Sequence, residues 1–250
     1  MVIIPFIIMI IWSVSVRWPW PSILPDSLSL RSLKELLWGS HQLIPLLLSS
    51  ILLSTLVGVL STVISLMASR AIEVDQIPGA RFFRFFSLLI FVVPATAFTM
   101  GIHYYMIRGG LSDTYIGVVL AHVVMSIPYS MNILLDLTKR VGKRLEEQAV
   151  VLGEHPVKAF FSTSFKELIP GLLSSFNMAF IVSYSQYFMT LIIGGGRVKT
   201  LALVLVPYIQ EGDRSLASAF ATTFVGSGIL VVMLVELIMK KGDVHGTRGS

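Results

Sequence analysis

With 250 residues, of which 54% are hydrophobic and only 13% charged, and a mean hydropathy of +0.81, the chain reads as an integral membrane protein with no room for a separate soluble catalytic domain. Its net charge of +5 is carried by Lys and Arg in short loops, where they set orientation, which argues against nucleic acid as a partner. The absence of cysteine removes disulfides, thiol nucleophiles and Cys-based metal sites from consideration.

Six apolar runs approach the roughly 20 residues that a spanning helix needs. The first, 1–16, is short and lacks the basic start of a signal peptide, so it is expected to be a helix. The stretch 17–40 follows, with Pro19, Pro21 and Pro25 precluding a continuous helix through their missing amide hydrogens. Its Trp18 and Trp20, with Trp38, suit the membrane–water boundary, and from Ser29 onward an amphipathic turn or two is expected along that interface. The runs 43–67 and 168–193 contain no charged residue or histidine, 85–106 and 115–135 one histidine each, and 216–235 no charge. Between the last two runs, 201–209 is too short to span and carries Pro207, which predicts a surface or re-entrant segment. Gly194-Gly195-Gly196 is expected to turn the chain at the outer face. The polar end, 242–250, reads as a flexible tail whose last residues need not be native.

Placing the N-terminus inside puts 70–84, 136–167 and 240–250 on the cytoplasmic side, with twelve of the 19 Lys and Arg residues. Most of that bias comes from Lys139, Arg140, Lys143 and Arg144, directly after the fourth run. The loop they open, about 139–167, is longer than a simple connection requires. Leu145, Ala149, Leu152, Val157, Phe160 and Phe161 recur near a helical period, and Gly153 and Pro156 punctuate them, so two short helices meeting at a glycine are predicted. Glu146, Glu147 and Gln148 open the first of these, where carboxylates are favoured by the helix dipole, and plain capping would account for them.

Glu147-Gln148-Ala149, with Gly153 six positions after the glutamate, inside a basic-then-acidic loop between the fourth and fifth runs, resembles the EAA loop of the membrane subunits of bacterial type I ATP-binding-cassette importers. Gln148 stands where that family has alanine, and Thr163, Phe165 and Lys166 stand where it usually shows a β-branched residue followed by Leu-Pro. Pro170-Gly171 matches the proline at which the next helix commonly begins. The resemblance extends to "FVVPATAFTMGIHYY" (91–105), similar to a core helix with a mid-helix proline, to "AHVVMSIPYSMNIL" (121–134), and to "GGGRVKTLALVLVPYIQEGDRSLASAFA" (194–221).

The resemblance implies an all-α membrane protein, with about six transmembrane helices in one permease domain (1–241) and a cytoplasmic coupling-helix loop. It also implies that two ATPase subunits receive that loop through Glu146, Glu147, Gln148, Ala149, Gly153 and Glu154. ATP and Mg would be bound by those partners, since this chain lacks a Gly-x-x-x-x-Gly-Lys-Ser/Thr phosphate cradle and needs no cofactor of its own. The remaining implied partners are a second permease, a different chain rather than a copy, and an extracytoplasmic substrate-binding protein. The expected home is the bacterial inner membrane, with both termini cytoplasmic and a small cargo such as ferric iron, thiamine or a polyamine.

Polar residues within the runs mark a pathway or simply satisfy interhelical hydrogen bonds. Tyr104, Tyr105, Ser126, Asn177, Ser183, Tyr184 and Gln186 are the pathway candidates, beside Ser175, Ser185, His103, His122 and Asn132. Two histidines without carboxylates do not make a metal site. An intramembrane serine protease is a poor alternative, because Gly226-Ser227-Gly228 has no histidine on a following helix and reads as small-residue packing. A stand-alone secondary transporter or channel would carry internal repeats or a charge deep in a span, and neither is seen.

Overall fold

The computed structural model describes residues 3–17, 25–39 and 43–246. In chain order these form α1 (Ile3–Ser13), an antiparallel pair β1 (Ser15–Arg17) and β2 (Ser27–Leu28), α2 (Arg31–Trp38), α3 (Leu43–Glu73), α4 (Ala80–Leu89), α5 (Ala95–Arg108) and α6 (Tyr115–Val141). Then come α7 (Arg144–Val151), α8 (Pro156–Ser162), α9 (Ser164–Tyr184), α10 (Phe188–Gly194), α11 (Leu201–Glu211) and α12 (Arg214–Gly246). Lipid offers no hydrogen bonds to backbone groups, so an apolar chain of this kind closes its own amides and carbonyls within helices.

The centre is a three-helix bundle of α3, α6 and α9, whose contact faces are lined with hydroxyls and glycine. Ser50, Ser54, Ser61, Thr62, Ser65 and Ser69 are buried along α3. Small side chains let helices approach closely where the hydrophobic effect no longer drives them together. At Gly58 an added Cβ would lie 2.8 Å from the Phe176 ring, and at Gly171 it would overlap the Leu137 side chain. Hydroxyls then bond across the seams: Ser69 with Thr138 at 3.2 Å, Ser130 to the Ser175 carbonyl at 3.1 Å, and Ser65 to the Ile127 carbonyl at 3.3 Å. A second apolar cluster, of Leu36, Leu43, Leu46, Leu201, Leu216 and Phe220, joins α2, α3, α11 and α12 at the other end.

Four helices are long and apolar enough to cross a membrane among the described residues: Leu43–Glu73, Tyr115–Val141, Ser164–Tyr184 and Arg214–Leu237. Of the six runs expected to span, 1–16 and 85–106 do not form single helices of that length among the described residues. The run 85–106 is not one helix with a mid-helix proline. It is divided, α4 ending at Leu89 and α5 starting after Pro94, which sits in extended conformation (ψ 130°) as the N-cap. Proline disfavours helical backbone in the residue before it, here Val93, and a five-residue break results. Since α3 and α6 both end beside the same loop, the α4–α5 pair still carries the chain from one end of the bundle to the other.

The run 168–193 is corrected at both ends. α9 begins at Ser164, so Pro170 lies inside it and does not start it, and α9 stops at Tyr184, leaving the rest to the short α10. α1 spans only 11 residues and packs on α12. The segment with Pro207 is a helix too short to cross, capped by Thr200 and with Leu201, Ala202 and Val204 buried. The amphipathic turn expected after Ser29 is α2, which buries Ser32 and Leu36. Trp38 is exposed, while Trp18 and Trp20 lie outside the described residues. Gly195 and Gly196 both take positive φ, 52° and 75°, and turn the chain between α10 and α11.

Candidate functional site

At about 1.5 Å per residue, the 31 residues of α3 and the 27 of α6 run roughly 46 Å and 40 Å, well beyond a hydrocarbon core of about 30 Å. Their C-terminal ends lie side by side, joined by the Ser69–Thr138 bond, and the elbow α7–α8 is built on them. α7 closes at Leu152, and Gly153 then takes φ +95°, a left-handed conformation that a side chain makes costly. The Gly153 and Glu154 amides donate back to the Val150 and Ala149 carbonyls at 2.9 and 3.0 Å, which finishes the turn. Pro156 opens α8 at its first turn, and His155 caps it. A Cβ at Gly153 would meet nothing within 4 Å, so the glycine is required by its backbone angle and leaves open space beside the bend.

Each acidic residue of the elbow has a separate fate. Glu146 points into the protein and takes a bidentate pair of bonds from the Arg70 guanidinium, 2.8 and 2.9 Å long, with both side chains largely covered. Burial pushes the Glu146 carboxyl upward, but the bonds from Arg70, the neighbouring Ser164 hydroxyl and the nearby Arg70 and Lys143 charges outweigh it and hold the group below its usual range. Arg70 also lies over the Phe160 ring, 4.2 Å from its centroid, and Phe160, Phe161 and Phe165 pack at steep angles, edge to face or tilted, beneath it. Glu154 accepts from Ser162 at 2.8 Å and pairs with Lys158 at 3.3 Å, bracing α8 against the bend. The Ser162 hydroxyl, with Lys158, holds the Glu154 carboxyl below its usual range. Glu147 and Gln148 are exposed, and among the described residues their side chains carry no hydrogen bond or ion pair.

Ala149 is half-buried on the inner face of α7, while Ala159 of α8 is fully buried. The tip beyond them is apolar and bare: Val151 is 85% and Leu152 88% exposed, with Val157 and Phe161 also on the surface. Two arms fixed by ion pairs and an aromatic cluster thus hold out an apolar prominence flanked by a free carboxylate. That combination suits a protein partner with an apolar cleft and a basic rim. Six candidate coupling residues come together here with Phe160 of the helical pattern, and Arg70 and Asp75, the last 3.5 Å from Lys143, join them without having been singled out from the sequence.

The pathway candidates are not gathered in one place. Tyr104 and Tyr105 sit exposed on α5, edge to face at 5.4 Å, with Arg108 over the Tyr104 ring. Ser183 is buried against His122 Nδ1 at 2.9 Å, and the other ring nitrogen meets Thr190 at 3.1 Å, so these hydroxyls tie α6, α9 and α10. Ser126 and the Asn177 side-chain oxygen are buried with no hydrogen-bond partner among the described residues. Tyr184 bonds Ser227 at 2.8 Å between the stacked rings of Phe180 and Phe224. It lines a cavity of about 440 Å³ between α9 and α12 that reaches Glu236. Gln186 is half-buried, its carbonyl accepting from Thr190 at 2.7 Å.

A family model described as binding-protein-dependent transport system inner membrane component matches residues 65–241, more than half of the chain. The spermidine/putrescine transport system permease protein PotC homolog of Mycoplasma pneumoniae is 29% identical over 120 residues, which cover 48% of this chain and 41% of that protein. The ferric transport system permease protein FbpB of Actinobacillus pleuropneumoniae is 26% identical over 220 residues, 81% of this chain and 31% of that protein. The putrescine transport system permease protein PotI of Escherichia coli (strain K12) is 25% identical over 129 residues, 52% of this chain and 46% of that protein. The chain thus spans less than half the length of each of these three relatives. A chain in the crystal structure of a bacterial ABC transporter involved in the import of the acidic polysaccharide alginate superimposes with a TM-score of 0.67. That match covers 95% of this chain and 89% of the other at 16% identity, a likeness of fold.

Proposed function

Because the chain belongs to the family of binding-protein-dependent transport system inner membrane components, we propose that it forms half of the translocation pathway of an ATP-driven importer. Its elbow passes the closing motion of partner ATPase subunits to the bundle. The observation that carries this reading is the α7–α8 elbow itself: a rigid, internally ion-paired projection whose outward surface is Val151, Leu152, Val157 and the unpaired Glu147. An apolar tip of this kind stays in water only at a cost unless a partner covers it.

In the proposed assembly two ATPase subunits bind ATP and Mg, and each takes one elbow into a cleft. Of the acidic residues, Glu147 is left to meet a basic group of the ATPase, since Glu146 and Glu154 are already paired within the chain. A second permease of different sequence completes the pathway, and an extracytoplasmic binding protein delivers the cargo. The elbow end then faces the bacterial cytoplasm, with both termini, and the turn at Gly195 and Gly196 faces outward. Approach of the two elbows swings the helices attached to them and exposes the pathway to one side at a time.

The cargo is proposed to be a small solute such as ferric iron, thiamine or a polyamine. The names of two relatives, which transport ferric ion or putrescine, support a small cargo without selecting one. Co-purification tests the reading. Glu147→Arg is expected to insert in the membrane normally and to lose stable recovery of the ATPase subunits. Undiminished recovery, or solute movement by the purified chain alone in liposomes without nucleotide, would overturn it.

A further inference from the structure

The elbow is continuous in sequence with α6 and α9, so any force on it reaches those two helices through the backbone. Its hold on α3 is different, because α3 belongs to a chain segment 76 residues away and is reached through side chains alone. One side chain of α3 reaches both arms. Arg70, one turn from the end of α3, grips Glu146 of α7 with two parallel bonds and lays its guanidinium face on Phe160 of α8. Both arms of the elbow are therefore fastened to α3 at a single residue. The nearby Lys143–Asp75 pair is 3.5 Å long and half-exposed on both sides, and contacts of that kind add little.

We infer that Arg70 is the positioning residue that makes α3 part of the moving unit, so that displacement of the elbow drags α3 along with α6 and α9. This rests on the ATPase-coupled reading of the elbow. A planar, always charged fork held by two bonds and a ring has one low-energy pose, and so it transmits a push or a pull with little slack. The line continues past α3: Glu73, one turn beyond Arg70 and almost fully buried, pairs with Arg84 of α4. An elbow stroke that reaches α3 thereby reaches α4 and the broken crossing. Without Arg70 the elbow would keep its shape, since Gly153, Pro156 and the Glu154–Ser162 and Glu154–Lys158 contacts remain. It would then move without α3.

The absence of native cysteine allows a clean test in the whole complex, with ATPase subunits, in lipid nanodiscs. A cysteine in place of the exposed Ile44, at the opposite end of α3, reports through its maleimide labelling rate in the nucleotide-free state and with ATP, Mg and vanadate. Arg70→Gln is expected to recover ATPase subunits as the parent does, yet to shrink the nucleotide-dependent change at position 44 by roughly threefold or more. Arg70→Glu and Glu146→Arg should each lose that change, and the two together should restore most of it. The inference fails if Arg70→Gln keeps the full change, or if the reversed pair is no better than its single variants. It also fails if ATPase recovery falls in step with the labelling response, which would make Arg70 a docking or folding residue. Failure of the unsubstituted chain to recover any ATPase would overturn the parent reading, and this inference with it.

Discussion

The elbow and the interior of the α3–α6–α9 bundle both contain polar groups in an otherwise apolar chain, and they dispose of them in opposite ways. In the bundle, hydroxyls on one helix bond to hydroxyls or carbonyls on the next: Ser69 to Thr138, Ser130 to the Ser175 carbonyl, Ser183 to His122. These bonds hold the helices together, although Ser61, Ser126 and the Asn177 side-chain oxygen are buried there without a partner among the described residues. In the elbow, Glu146 and Glu154 are likewise consumed, but Glu147 and Gln148 are left over beside a bare apolar tip. A polar group left over at a water-facing surface costs little, so it can be kept for a partner. In the elbow the paired groups show how it is built, and the exposed surplus shows what it can meet.

The sharpest way to break this contrast is to damage the elbow while sparing the bundle. At φ +95° a β-branched side chain is strained by about 1–3 kcal/mol, and nothing nearby obstructs the alternatives that the backbone would seek. Gly153→Val is therefore expected to redirect α8 and reduce recovery of ATPase subunits by about tenfold, while the thermal midpoint of the bundle moves little. Recovery on a tagged permease and a melting curve in detergent check the two halves together. Gly153→Ala should lie in between, since alanine suffers the same angle with less bulk.

The reciprocal experiment damages the bundle and spares the elbow. Ser183→Ala leaves His122 Nδ1 in a fully buried site without its hydroxyl partner. An unpaired buried group costs about 1–3 kcal/mol in a protein interior, but hydrogen bonds between membrane helices average nearer 0.6 kcal/mol because the dissociated helices also find partners. The expected outcome is a loss of about 1 kcal/mol in bundle stability with unchanged ATPase recovery. A loss of recovery matching that of Gly153→Val would show that the two regions are not separable.

What was legible in the sequence divides along similar lines. The elbow could be read because its determinants are local: Gly153 and Pro156 punctuate a helical period within a dozen residues, and the structure puts the bend and the new helix there. The long spans α3 and α6 could be read because apolar length is a local property too. The break at 90–94 could not be read from hydropathy, since Phe91, Val92 and Val93 are as apolar as their neighbours and only the conformational demand of Pro94 divides them. Pro170 misled in the other direction. It falls in the second turn of α9, where the carbonyl it leaves free is that of the exposed Lys166. The Arg70–Glu146 pair was out of reach, because nothing in either local pattern connects residues 76 positions apart.

The smallest expected effect concerns acid, and it tests whether Glu146 belongs to the consumed or the surplus set. Its carboxyl is lowered from an ordinary value of 4.5: burial works upward, and the Arg70 bonds, the neighbouring Ser164 hydroxyl and the Arg70 and Lys143 charges prevail. A carboxyl with a lower value in the folded state contributes its stability in full above the ordinary value and loses it only as pH falls through the lowered one. The fastening of the elbow to α3 should therefore be indifferent to pH between neutrality and about 5. Spectroscopic labels on cysteines replacing Met67 of α3 and Val150 of α7, both exposed, read the distance between the two elements. That distance should stay narrow over this range and broaden only below 4.5, whereas Glu146→Gln should be broad already at neutral pH and insensitive to acid. Broadening with a midpoint near neutrality would assign the loosening to another group and would move Glu146 to the side of Glu147, as a residue kept for a partner.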